Sequence, residues 1–235
     1  MTPTKAMLLA AGRGERLRPI TDTVPKPLVA VAGKPLIAYH LEALAAAGIH
    51  EVIVNVSWLG EQIRSALGSG ARYGVRIAYS DEGSEPLETG GGIFRALPVL
   101  GPAPFLVINA DIWLDMDLRG CAALPEDADA RIVLTSNPEH HPHGDFGLEE
   151  GWVVERSSNR LTYTGVGVYR PEFFVGCRPG RFPLLPLLKR ALAAGRLRGE
   201  RFDGPWFDVG SPERLARLDG WLRARAGRPG PQGVD

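Results

Sequence analysis

The chain has 235 residues, 44% of them hydrophobic, and its 27 basic and 27 acidic side chains cancel, with a pI near 7.0. That length buries one large α/β domain, and the neutral balance disfavours a nucleic-acid partner, so any cationic site must be local. Cys121 and Cys177, the only cysteines, form no C-x-x-C pair and imply neither a thiol metal site nor a disulfide framework. The first residues lack the plan of a secretory signal and no apolar run is long enough to span a bilayer, so a cytoplasmic protein without a membrane partner is expected.

The first predicted strand, Ala6–Ala10, opens into Ala11-Gly12-Arg13-Gly14-Glu15-Arg16-Leu17-Arg18-Pro19. Gly12 and Gly14 let backbone N–H groups approach a ligand because no Cβ intervenes. Those amides, with Arg16 and with Lys26 of Pro25-Lys26-Pro27, make a cradle for a polyanion, most obviously a nucleoside triphosphate. The commoner phosphate motifs are missing: no G-x-x-x-x-G-K-[ST] occurs, and a dinucleotide fingerprint needs a small residue where Leu17 stands. Pro35–Ala47 then reads as a helix, with Pro35 at its start and Gly48 at its end. Glu51–Val56 follows as a strand, Leu59–Leu67 as a helix, Val75–Tyr79 as a strand, Gly91–Leu97 as a short helix and Phe105–Asn109 as a strand. This alternation predicts an α/β fold: a doubly wound, mostly parallel, Rossmann-like sheet with ligands beyond the carboxyl ends of its strands. The opening loop and Asn109-Ala110-Asp111 would share one rim. Asp111 there suits Mg2+, which takes one or two carboxylates plus phosphate oxygens; capping the next turn is its other available role.

The second half changes character. Ala130–Thr135 reads as a strand, and Phe146–Leu148, Gly151–Glu155 and Thr162–Tyr169 as short, glycine-punctuated, antiparallel strands. Helices are predicted at Pro186–Ala194 and Pro212–Ala226. We expect a smaller antiparallel acceptor-binding subregion built onto the sheet, within one domain over residues 1–226, and a disordered Gly/Pro-rich tail over 227–235. Ser211 and Pro212 read as N-cap and first residue of the last helix, which leaves Asp208 either projecting into a cleft or holding the Gly210 turn. His140, His141 and His143 have no cysteine nearby and fit an exposed or acceptor-facing loop better than a zinc site. Trp58, Trp152 and Trp221 read as packing residues.

Leu9 through Thr21, then Pro25 to Pro27, resemble without a gap the signature of the sugar-phosphate nucleotidyltransferases, L-A-A-G-x-G-x-R-(hydrophobic)-x-P-x-T followed by P-K-P. The resemblance implies Arg16, Lys26, Asp111 and Asp208 as catalytic residues. Arg16 would hold the β- and γ-phosphates and Lys26 the α-phosphate, with Asp111 and Asp208 as a Mg2+ pair. Leu9, Ala10, Ala11, Gly12 and Gly14 would line the nucleotide. Ser80 to Gly91 resembles the family's base-binding Q/E-x-x-x-P-L-G-T-(A/G)-G. There Glu82 would accept from uracil N3–H, and a backbone N–H near Glu88, Thr89 or Gly90 would donate to a carbonyl; guanine N1–H and N2–H also suit a carboxylate. Glu88 replaces the common glycine, and Ser84 is an extra residue. Gly90-Gly91-Gly92 reads either as a flexible turn or as anion-binding amides at a helix start. Asn109, Gly147, Glu155 and Thr164 are expected at the sugar, and Arg156 or Arg201 at the acceptor phosphate. The variant E-P-L-E-T-G-G-G, with His140-His141 and Gly144-Asp145-Phe146, resembles the uridylyltransferases of bacterial cell-wall sugar recycling. The implied reaction is Mg2+-dependent uridylyl transfer from UTP to a sugar 1-phosphate, N-acetylmuramate 1-phosphate foremost, by a monomer or small homo-oligomer. A mannose-1-phosphate guanylyltransferase and a non-catalytic nucleotide-sugar-binding module are the alternatives.

Overall fold

A computed structural model describes residues 3–119, 124–155 and 157–226; Cys121, Arg156 and the expected tail lie outside them. In chain order the elements are β1 (Lys5–Leu9), α1 (Ile20–Thr23), β2 (Ala30–Val31), β3 (Lys34–Pro35), α2 (Leu36–Ala46), β4 (Glu51–Val56), α3 (Gly60–Leu67), β5 (Arg76–Asp81), α4 (Glu88–Leu100), β6 (Phe105–Asn109), β7 (Ile112–Leu114), β8 (Ala130–Thr135), β9 (Gly147–Glu149), β10 (Trp152–Val154), β11 (Thr162–Tyr169), α5 (Leu185–Ala193), β12 (Leu197–Arg201), β13 (Trp206–Asp208) and α6 (Pro212–Ala226).

β1 is apolar throughout its middle because both of its faces are covered. Ala6 and Leu8 lie in one layer with Leu41, Val54, Ile63 and Ile108, under α2 and α3. Met7 lies in the other with Ile53, Ile93, Val107 and Leu188, under α4 and α5. The strand period of two sends alternate residues to opposite layers, so a doubly covered strand must be hydrophobic at every position. Each full-sized aliphatic side chain buried this way contributes about 1.5–3 kcal/mol. β1 pairs in parallel with β4 on one side and β6 on the other, and β4 pairs in parallel with β5. The chain therefore runs outward from β1 to β5, then reverses to β6, and a crevice opens at that switch beyond the carboxyl ends.

The sheet continues past this parallel core. Its full order is β5-β4-β1-β6-β11-β8-β12-β10-β9, with β11 antiparallel to both β6 and β8. The antiparallel half thus shares one sheet with the parallel half. β12 joins parallel to β8 and has no counterpart among the predicted strands. Only Leu197 of its five residues is a large apolar residue, and ion pairs such as Arg131–Glu200 (2.6 Å) hold it beside β8. The ribbon β7–β13 is likewise formed by distant segments. Trp113, Phe207 and Trp221 pack there with ring centroids 5.1–6.0 Å apart and dock α6 onto the ribbon. α4 begins three residues before the predicted helix, at Glu88, so Thr89 and Gly90 are helical.

Candidate active site

The loop after β1 is shaped by contacts its own sequence supplies. Gly14 has φ 66°, and a Cβ on it would come within 2.9 Å of Thr21 Cγ2 and 3.1 Å of Lys26 Cβ. Thr21 Oγ1 donates to the Gly14 carbonyl at 2.8 Å. Gly12 faces open space. Arg13 lies over the Trp58 ring at 4.4 Å, and Trp58 Nε1 donates to the Thr21 carbonyl at 3.2 Å. Beside this loop is a cavity of about 850 Å3 whose walls include Leu9, Ala10, Ala11, Gly12, Gly14, Arg16, Lys26, Glu82, Glu88, Thr89, Asn109 and Asp111. That volume suits a nucleotide-sized ligand.

Charge is divided along the cavity. The segment between β1 and β2 supplies Arg13, Arg16 and Lys26 against one carboxylate, Glu15, whereas the segment after β5, two strands and so about 10 Å away, supplies Glu82, Glu85 and Glu88, with Arg181 beside them. Lys26 is nearly buried and its Nζ lies 2.7 Å from Asp111 Oδ2. At the acidic end Asn55 is a brace without a counterpart in the sequence motifs. Its Oδ1 accepts the Ala10 N–H at 2.6 Å and its Nδ2 donates to Glu82 Oε1 at 2.6 Å. Glu82 Oε2 accepts the Leu87 N–H at 2.7 Å. Burial nonetheless pushes the Glu82 carboxyl above its usual range. The only sequence signal for Asn55 is a polar residue inside the otherwise apolar run of β4.

The glycine run at 90–92 is helical and packed. A Cβ at Gly90 would lie 2.6 Å from the Phe182 ring, one at Gly91 would collide with the Gly180 carbonyl, and one at Gly92 with Glu82 Oε1. The Gly91 N–H donates to the Phe182 carbonyl at 3.0 Å. Small residues here let the 180–183 segment reach the start of α4. That approach brings Arg181 into the cavity wall, where its Nε lies 2.9 Å from Glu88 Oε1. No local motif marks Arg181.

Asp111 and Asp208 stand on neighbouring rungs of the β7–β13 ladder. Asp208 pairs with Ile112, and the Val209 N–H donates to the Asp111 carbonyl at 3.0 Å; ladder geometry separates the two Cα atoms by about 6 Å. Asp208 does not line the cavity; Gly210 does, and a Cβ on Gly210 would come within 2.9 Å of Asp208 Oδ1. Its carboxylate accepts from Arg214 Nη1 at 2.7 Å and faces His140 Nε2 at 3.4 Å. Ser211 Oγ accepts the Arg214 N–H at 3.4 Å, an N-cap for α6. The ladder is anchored by buried His40, whose Nε2 donates to the Ile112 carbonyl at 2.7 Å. Burial pushes that imidazole down to about 4, so it is neutral.

Of the residues expected at the sugar, Asn109 lines the cavity. The Thr164 side chain turns into the sheet, where Oγ1 donates to the Val133 carbonyl at 2.9 Å, while its carbonyl accepts Trp206 Nε1 at 3.0 Å. Gly147 sits in the edge strand β9, against Ser157, and Glu155 is exposed beyond β10. Neither Gly147 nor Glu155 lines the cavity. Arg201 pairs with Asp203 at 2.7 Å. His141 Nε2 lies 3.0 Å from Asp145 Oδ1.

No helix among the described residues is long and apolar enough to cross a membrane. Residues 5–155 match the Nucleotidyl transferase family. The chain is 50% identical over 219 residues to N-acetylmuramate alpha-1-phosphate uridylyltransferase of Neisseria meningitidis, covering 90% of this chain and 95% of that one. It is 40% identical over 226 residues to the protein of the same description from Caulobacter vibrioides, covering 90% and 93%. The fold matches HddC from Yersinia pseudotuberculosis, solved in complex with GMP-PN, with a TM-score of 0.79 and 22% identity over 94% of this chain and 100% of that one. The chain belongs to the nucleotidyl transferase family, among the sugar 1-phosphate nucleotidyltransferases.

Proposed function

We propose that the chain transfers the uridylyl group of UTP to N-acetylmuramate 1-phosphate, giving a UDP-sugar and pyrophosphate, in the cytoplasm and in cell-wall sugar recycling. The observation that carries this reading is the Lys26–Asp111 pair, 2.7 Å apart in the wall of a cavity whose basic loop follows β1. The choice of uridylyl over guanylyl transfer, and of this acceptor, follows the two relatives at 50% and 40% identity. Asp111 lines the cavity and Asp208 stands on the neighbouring rung; as the expected Mg2+ pair both offer hard carboxylate oxygens, and each would share its present ion pair, with Lys26 or with Arg214, with the metal. When bound, the ion would neutralise phosphate charge as the leaving group departs.

In this reading Arg16, which forms no ion pair among the described residues, holds the β- and γ-phosphates. Lys26 spends one of its three donors on Asp111 and directs the others at the α-phosphate. A phosphate oxygen of the acceptor attacks the α-phosphorus, and the bond to the bridging oxygen of pyrophosphate breaks in line. The attacking oxygen is already anionic at neutral pH, so no general base is needed. The barrier is repulsion between anions, and fixed cations with enforced alignment lower it. Lys26→Ala, Asp111→Ala and Asp208→Ala should each lower kcat by about 10²–10³-fold, read as pyrophosphate release, with native circular dichroism. Near-normal turnover in any of them removes that residue from the mechanism.

A further inference from the structure

We propose that Glu88 and Arg181 together read the base of the nucleotide, as an acceptor and a donor set against the pairing edge of uracil; this deepens the UTP reading above and rests on it. Three observations converge on the pair. First, the cavity lining is net basic after β1, where Arg13, Arg16 and Lys26 outnumber Glu15, and net acidic after β5, where Glu82, Glu85 and Glu88 outnumber Arg181. A polyphosphate is repelled from the acidic end, so that end faces the neutral part of the ligand, which carries N–H donors.

Second, Glu88 holds a φ of 60°, a left-handed conformation that costs little for glycine and more for any side chain with a Cβ. A strained residue lining a cavity points to a use for its side chain. Stability does not supply that use. The Glu88 and Arg181 side chains are 38% and 65% exposed, and ion pairs so wetted contribute little to folding.

Third, the pair is built into place from two distant segments. The Phe182 N–H donates to the Leu87 carbonyl at 3.1 Å, and the Gly91 N–H donates to the Phe182 carbonyl at 3.0 Å. The side-chain-free surface of Gly90 and Gly91 admits this contact. Arg181 Nε then meets Glu88 Oε1, which leaves Oε2 and the terminal guanidinium nitrogens to face a ligand. Glu82 is less available, since both of its oxygens already accept, from Asn55 and from Leu87.

The chemistry suits uracil. Its edge presents N3–H between two carbonyls. A carboxylate accepts a hydrogen bond from N3–H, and a guanidinium donates one to the neighbouring carbonyl. Cytosine presents a lone pair at N3, which a carboxylate repels, so the pair selects against CTP as well as for UTP.

The test is steady-state kinetics of Glu88→Gly and Arg181→Gln with UTP, CTP and GTP at fixed N-acetylmuramate 1-phosphate. Glu88→Gly relieves the positive φ, so its melting temperature should equal or exceed that of the parent, and lost activity then reports recognition rather than unfolding. Each variant should lower kcat/KM for UTP by about ten- to a hundred-fold, chiefly through KM, and shrink the UTP-to-CTP preference. UTP kinetics within about two-fold of the parent, with the preference intact in both variants, overturn the proposal. A parent protein that releases no pyrophosphate from UTP overturns the underlying reading instead.

Discussion

His40 illustrates how a single buried group can steady a site it does not enter. It donates to the Ile112 carbonyl from within the apolar layer, one residue from Asp111. Because burial lowers its folded value to about 4 from an unfolded value near 6.5, the unfolded chain binds the extra proton first. Its contribution to stability is therefore complete above pH 6.5 and is lost as the pH falls toward 4, by up to about 3 kcal/mol. Glu82 works in the opposite sense: burial raises its carboxyl, so its ionisation opposes folding at neutral pH and that penalty eases on acidification. The two are separated by comparing urea midpoints of the parent and His40→Gln from pH 7.5 to 4.5. The parent should lose stability relative to the variant across that window; a constant difference would show that His40 does not titrate in it. At this scale the sequence revealed what is local. Gly12, Gly14 and Lys26 lie within one short motif and enclose one loop. Asn55 and Arg181 reach the site through partners 45 and 93 residues away, at Ala10 and Glu88. No local pattern records such distances.

The start of α4 shows why an element can be legible while its purpose is not. Three consecutive glycines weaken an isolated helix and suggest a turn. Their reason lies in the 180–183 segment, which occupies the space where two of the side chains would be. Gly→Ala inside a helix ordinarily stabilises by about 0.5–1 kcal/mol. Gly91→Ala should do the reverse, because the obstructing atom is the Gly180 backbone carbonyl, and its urea midpoint should fall below that of the parent. A higher midpoint would show that the 180–183 segment is not seated there. Strands β1, β4, β6 and β8 were readable from apolar runs because both of their faces are buried, and β11 from its glycine-punctuated alternation. β12 was not, since charge pairing with its neighbour holds it. β7 and β13 are three residues each and exist only as partners of one another.

At the scale of the molecule, the switch in strand order at β1 decides where chemistry can occur. It opens the crevice between the loops after β1 and β6, and the β7–β13 ribbon returns the end of the chain to that crevice. The alternating first half made the parallel core and its rim foreseeable. The continuous passage from β6 into antiparallel β11 is a tertiary choice that strand periodicity does not encode. Pyrophosphate release reports whether a donor nucleotide and a sugar phosphate meet and react in this crevice. With all four nucleoside triphosphates crossed against N-acetylmuramate 1-phosphate, mannose 1-phosphate and glucose 1-phosphate, UTP with N-acetylmuramate 1-phosphate should give the highest kcat/KM, and Asp111→Ala should lower kcat for that pair by about 10²–10³-fold. Faster turnover of GTP with mannose 1-phosphate, or tight binding of UDP-sugars with no pyrophosphate from any pair, would contradict uridylyl transfer to N-acetylmuramate 1-phosphate.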